Sequence, residues 1–222
     1  AIQNGRIYAA TNAGLKYRNS DESQWRTANY IDGEGQLQPL NGFVWDVKVG
    51  SNGIVVASIE SKVYVSELGQ PNGFINQSTK QVLPDTVLNP EKLPSIGLGR
   101  IELAVAPSNP DYIYACASDP YGYFDNIYRS IDKGITWEII FPGHSSLLPD
   151  IFVVNNVAYG LVANTIVVYP NNPEEILVGG INMWHGKFIN EGYYYWGTDA
   201  ISSYATSKFS PLYLHELHHT YV

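Results

Sequence analysis

The sequence predicts an all-β fold in which four-stranded antiparallel sheets repeat along the chain as the blades of a β-propeller. Three observations predict it. Helical periodicity is scarce, and strand-length apolar runs closed by turn residues dominate. The composition favours strands and turns, with 17 Tyr, 20 Gly and 13 Pro. A turn segment of proline, asparagine, proline, acid and isoleucine recurs in register, which marks repeated units.

The elements follow in order. Gly5 to Thr11, the turn Asn12-Ala13-Gly14 and Leu15 to Arg18 read as a hairpin. Phe43 to Val49 alternates apolar and polar residues as a half-buried strand does. A second hairpin follows at Asn52 to Ser58 and Lys62 to Ser66. Ala106 to Ala115 then matches Tyr169 to Val178, and each copy follows a β-rich run (Ile101 to Val105; Asn164 to Val168). An Asn-Pro turn presets φ and sends the chain back as a return strand. Units of this size, with about four strands each, are the pattern of propeller blades.

Four blade-like units are expected near 1–40, 41–90, 95–145 and 152–203, with 211–222 opening a fifth. Such a set leaves the ring incomplete within this chain. Gly69 to Gly99 and Gly197 to Ser210 read as inserted loops. A β-sandwich is the alternative architecture.

Composition narrows the function classes. Thirteen Lys+Arg against 21 Asp+Glu give a net charge of −8, a surface that repels phosphate backbones, so no nucleic-acid partner is expected. With 45% hydrophobic and 15% charged residues, the chain has the means to build a core. A single cysteine, Cys116, excludes an internal disulfide framework and a Cys-rich zinc site. No apolar run approaches the ~20 residues of a membrane span. The opening Ala-Ile-Gln-Asn-Gly has no initiator Met or signal-peptide pattern, which suggests a mature protein or part of a longer one.

One motif is specific. Ser130, Asp132, Gly134, Thr136 and Trp137 match Ser-x-Asp-x-Gly-x-Thr-Trp. Asp132 is placed to accept backbone N–H groups across a tight turn. Gly134 supplies a positive φ, and Trp137 drops beneath the hairpin as an apolar plug. Tyr17 to Trp25 aligns with Tyr128 to Trp137 when one residue, the glycine, is deleted, and Tyr64 to Gly69 keeps only the frame. On these residues the chain resembles the Asp-box (BNR-type) β-propellers, which include sialidases, xyloglucan endoglucanases, sortilin-like (VPS10) domains and secreted envelope proteins. The resemblance implies that the box is a structural clip on an outer hairpin, away from the ligand site. Asp132 is then a fold determinant rather than a catalytic group.

The resemblance also frames the chemistry. Sialidases need three arginines around a carboxylate and usually an Arg-Ile-Pro segment. This chain has Arg6, Arg18, Arg26, Arg100 and Arg129 and no Arg-Ile-Pro. A glycoside hydrolase needs two carboxylates facing across a groove as general acid and base. Asp46 and Glu102 are the candidates, because both fall in runs suited to innermost strands; pairing with a neighbouring base is the structural alternative for each. His215-Glu216-Leu217-His218-His219 satisfies the zincin pattern, which on a helix makes His215 and His219 metal ligands and Glu216 a base. On a strand, the same histidines line the channel, where related propellers carry His-x-Asp-x-His with an acid in place of Leu217. Trp184, Tyr194 and Trp196 belong to an aromatic cluster suited to sugar or protein contact, or to packing between blades.

The expected function is a secreted, periplasmic or cell-surface module that binds a protein or glycan partner. The low-charge, Tyr- and Asn-rich composition resembles envelope proteins associated with bacterial secretion systems such as type IX, which implies a larger envelope assembly. Glycoside hydrolysis and zinc-dependent peptide hydrolysis are the alternatives. No cofactor is expected.

Overall fold

Turn chemistry cuts this chain into strands of two to seven residues. The computed structural model describes residues 1–3, 5–79, 90–143, 150–189 and 193–196. The first sheet is an up-and-down meander of β1 (Ile2–Gln3), β2 (Arg6–Thr11), β3 (Gly14–Asn19) and β4 (Arg26–Thr27). A hairpin of β5 (Asn29–Ile31) and β6 (Leu37–Pro39) follows. The second meander contains β7 (Val44–Val49), β8 (Val55–Ile59), β9 (Lys62–Ser66) and β10 (Phe74–Asn76).

A two-residue parallel pair, β11 (Ser78–Thr79) and β12 (Leu93–Pro94), leads to the third meander. That sheet is β13 (Ile101–Val105), β14 (Ile113–Ser118), β15 (Phe124–Ser130) and β16 (Glu138–Pro142). The small hairpin of β17 (Val153–Val154) and β18 (Val157–Ala158) precedes the fourth, β19 (Thr165–Val168), β20 (Glu175–Gly179), β21 (Met183–Ile189) and β22 (Tyr193–Trp196). No helix occurs among the described residues, so none is long and apolar enough to cross a membrane there.

The sheets stack face to face, and the core is divided between their interfaces. Alternate residues of one strand serve opposite neighbours. In β8, Val55, Ala57 and Ile59 join Tyr8, Leu15 and Val44 in the cluster between the first and second sheets. Val56 of the same strand joins Ile101, Leu103 and Ile113 in the cluster between the second and third. In β14, Tyr114 and Cys116 turn the other way, toward Ile166, Ile176 and Val178 of the fourth sheet. This explains why β8 and β14 are buried along their whole length. A strand covered on both faces reads as a continuous apolar run.

Among the described residues no core cluster joins the fourth sheet to the first, and the ring is open.

Two segments differ from the sequence reading. The hairpin at 29–39 falls within the first expected unit, yet β5 pairs in parallel with β10, so it extends the second sheet. Phe74 faces Tyr30 and Ile75 faces Ile31 in that register. Asn29 fixes the entry: its N–H donates to the Pro71 carbonyl at 2.7 Å, and its side-chain amide donates to Asn72 Oδ1 at 2.8 Å. The segment 69–99, expected as an inserted loop, contains β10 to β12 among its described residues. With a single buried Phe74 between Gly73 and Asn76, β10 is too short to show a period.

Candidate functional site

Three innermost strands share one register. Val49 pairs with Val55, Val105 with Ile113 and Val168 with Ile176, and three residues before each stand Asp46, Glu102 and Thr165. These are equivalent positions, facing Ser58, Cys116 and Gly179 on the adjoining strands. An innermost strand has one edge without a ladder partner, and its N–H and C=O groups need other partners. Asp46 and Ser58 supply them for β13. Leu103 N–H donates to Asp46 Oδ2 at 2.9 Å, and Ser58 Oγ donates to the Ile101 carbonyl at 2.7 Å.

Charges gather around this contact. Lys48 Nζ lies 2.9 Å from the Asp46 carboxylate and 3.6 Å from Glu102 Oε1. Arg100 holds the other oxygen of Glu102, with Nη2 at 2.8 Å and Nε at 3.3 Å. Arg100 Nη1 also donates to the Val162 carbonyl at 2.9 Å, tying the third sheet to the connection that enters the fourth. Asp46 and Glu102 are 8% and 7% exposed.

Burial pushes the Glu102 carboxyl up to about 7, and the nearby Asp46 charge adds to the shift. For Lys48, burial opposes the charge, but Asp46 and Glu102 outweigh it and raise its pKa. Asp46 and Glu102 are thus brought together, sharing one ammonium. Lys48, Arg100 and Ser58 complete the group; Lys48 and Arg100 each stand two residues from one of the acids in the sequence, and Ser58 has no such signal.

The meander order sets the two ends of the sheets. Turns between second and third strands lie at one end with the connections between sheets. The Asn-Pro turns and the Ser130 to Trp137 turn lie at the other. The first end carries exposed aromatics: Phe43 at the start of β7 is 43% exposed, and Tyr121 and Tyr123 in the β14–β15 turn are 80% and 40%. Phe43 packs against Trp45 with ring centroids 4.5 Å apart and planes tilted by 57°.

The Ser130 to Trp137 turn joins β15 to β16. Asp132 Oδ1 accepts Thr136 N–H at 2.9 Å and Ser130 Oγ–H at 2.8 Å, and Oδ2 accepts Thr136 Oγ1–H at 2.6 Å. Gly134 N–H donates to Ser130 Oγ at 2.8 Å. Gly134 takes φ +87°, and an added Cβ there would stand 2.9 Å from Val65 Cγ2. Trp137, 3% exposed, packs in the core between the second and third sheets and donates Nε1–H to the Gly134 carbonyl at 3.0 Å. Burial works against ionisation of Asp132, but the bonds from Thr136 and Ser130 outweigh it and hold the carboxyl below its ordinary range.

The shortened copy behaves differently: Trp25 lies 44% exposed beneath the Arg18 guanidinium, 5.3 Å from its ring centre. Beside the complete turn, a groove of about 520 Å³ is lined by Leu68, Ile75, Lys92, Lys133 and Ile135.

Trp184 packs against the core between the third and fourth sheets, with its indole N–H buried and without a partner. Tyr194 and Trp196 stand in β22, paired with Phe188 and Gly186; their side chains lie outside the described residues. His215 and His219, and with them the zincin pattern, also lie outside. No group of three metal-binding side chains occurs among the described residues.

No family model matches this chain, and no curated protein matches it. Solved structures do. The GH74 xyloglucanase from Xanthomonas campestris superposes with a TM-score of 0.58 at 16% identity, over 88% of this chain and 28% of the enzyme. The Niastella koreensis GH74 enzyme gives 0.54 at 15%, over 88% and 29%. An ancestral GH74 enzyme gives 0.53 at 16%, over 82% and 21%.

The fold is a β-propeller. The chain spans less than a third of the length of each of these enzymes.

Proposed function

We propose that this chain is the glycan-binding part of a larger β-propeller protein, with the ligand held at the connection end of the innermost strands. The observation that carries this reading is the placement at one end of the sheets of exposed Phe43, Tyr121 and Tyr123. Arg100 enters β13 at that same end. Sugar rings present an apolar face suited to stacking on aromatics and a hydroxyl rim suited to charged partners. Likeness in fold to GH74 enzymes supports a glycan over other ligands.

In this reading Ser130 to Trp137 is an Asp-box clip, remote from the ligand. The protein acts outside the cytoplasm, in a secreted, periplasmic or cell-surface setting. The composition that resembles type IX-associated envelope proteins supports a place in a larger envelope assembly, with a protein partner in addition to the glycan.

Calorimetry of the full chain against xyloglucan oligosaccharides, cellohexaose, maltohexaose and sialyllactose tests the reading. Saturable binding of at least one supports it. Absence of binding to all four overturns it.

Glycoside hydrolysis is the second reading, favoured by one observation. Asp46 and Glu102 share Lys48, and Glu102 is held at about 7, as a general acid requires. Against it, Asp46 accepts Val47 N–H on one oxygen and Leu103 N–H on the other, so a base would have to abandon structural bonds. Release of reducing ends from xyloglucan by the wild type, abolished in Glu102→Gln, supports hydrolysis. Binding without release supports the module.

A further inference from the structure

Three departures from regular backbone converge on Phe43 and Trp45. The β7–β8 ladder pairs Val44 with Ile59 and Asp46 with Ser58, leaving Trp45 as the extra residue of a β-bulge. Bulges re-aim side chains and recur beside functional sites. Gly42 adopts φ +108°, and a Cβ added there would meet Glu60 Oε1 at 2.8 Å. Glu60 itself, in the β8–β9 turn, takes φ +53°, a left-handed conformation that costs a non-glycine residue free energy.

The outcome is a double clamp on Phe43. Its N–H donates to Glu60 Oε1 at 2.8 Å, and its carbonyl accepts Glu60 N–H at 2.8 Å. Pairing alone does not need these departures. β13 holds the equivalent place in the third sheet and pairs with β14 over all five of its residues, without a bulge. What the departures accomplish in β7 is to hold two tilted rings outside the core at the end of an innermost strand.

We infer that Phe43 and Trp45, clamped by Glu60, form an aromatic subsite that stacks on the apolar face of a β-linked hexopyranose. The flat, equatorially substituted face of such a sugar suits a fixed pair of rings. The Glu60 carboxylate, exposed at the edge of the pair, accepts a ring hydroxyl. The clamp keeps the rings in place before the ligand arrives, which removes an ordering cost from binding. The inference rests on the glycan-binding reading and assigns its residues.

The test is calorimetry of the full chain with cellohexaose and with xyloglucan oligosaccharides, comparing the wild type with Trp45→Ala, Phe43→Ala and Tyr121→Ala. Loss of one stacked ring is expected to weaken binding about tenfold. Trp45→Phe is expected to retain most of the affinity. Phe43→Ala removes an exposed ring and leaves the core intact, so it carries the test if Trp45→Ala alters the melting curve. Wild-type binding that is undiminished in Phe43→Ala overturns the subsite and leaves glycan binding standing. A wild type that binds neither sugar overturns the subsite, and overturns glycan binding as well when maltohexaose and sialyllactose also fail to bind.

Discussion

Leu103 donates its backbone N–H to the carboxylate of Asp46 at 2.9 Å, across the boundary between two sheets. The two residues are 57 positions apart, and each lies on an innermost strand. One side chain thus satisfies a strand edge that would otherwise lack a partner and pairs with the partly exposed Lys48 ammonium at the same time.

Asp46→Ala is therefore expected to cost about 1–3 kcal/mol, because it leaves the Leu103 backbone donor without its acceptor while Lys48 keeps Glu102 as a partner. Asp46→Asn keeps an acceptor for Leu103 and is expected to cost less. Urea unfolding of the two variants beside the wild type measures the difference. Equal stability of all three would contradict the bridging role.

Glu102 gives stability a pH dependence of unusual sign. Its carboxyl is held at about 7 in the fold, against an ordinary value of 4.5. Below pH 4.5 the group is protonated in both states and makes no difference. Between 4.5 and 7 the folded chain retains a proton that the unfolded chain has released, so stability falls as pH rises. The full loss, on the order of 3 kcal/mol, is reached above pH 7. Melting temperature is expected to be lower at pH 8 than at pH 5.5 from this group, and Glu102→Gln is expected to remove most of that difference. A Glu102→Gln variant with the wild-type pH profile would refute it.

The two tryptophans of the related turns should part company. Trp137 is enclosed in the core between the second and third sheets, and Trp137→Ala is expected to cost about 3–5 kcal/mol. Trp25 lies exposed at the surface under Arg18, and Trp25→Ala is expected to cost less than about 1 kcal/mol. Thermal unfolding of both variants decides the comparison.

Asp132→Ala loses acceptors for Thr136 and Ser130 and is expected to cost about 1–2 kcal/mol. For a domain of this length that lowers the melting temperature by roughly 2–8 °C. Glycan affinity is expected to stay unchanged, because the turn lies at the end of the sheets opposite Phe43 and Trp45. Impaired affinity at unchanged stability would give Asp132 a part in the ligand site.

What could be read from the residues alone follows the range of the forces involved. The Ser130 to Trp137 turn was legible because the bonds among Ser130, Asp132, Gly134, Thr136 and Trp137 close within four residues, so spacing encodes geometry. Asp46 and Glu102 were legible as inner-strand acids because each is embedded in an apolar run. Their partnership was not, since Lys48, Arg100 and Leu103 reach them only once two sheets stack. Phe43 to Val49 looked like a regular half-buried strand. The extra residue at Trp45 is a property of pairing with β8 and leaves no trace in the hydrophobic pattern of β7 alone. The attachment of Tyr30 and Ile31 to Phe74 and Ile75 depends on residues more than forty positions away, and nothing in either short segment names the other.

That attachment bears on how such a protein can be cut and recombined. A chimera divided at residue 40, where one repeat gives way to the next, parts the 29–39 hairpin from the outer strand it borders. Tyr8 and Arg6, which donate to the Gly69 carbonyl at 2.7 and 2.9 Å, lose their acceptor in the same stroke. Moving the first pair of sheets as one piece keeps both of these attachments.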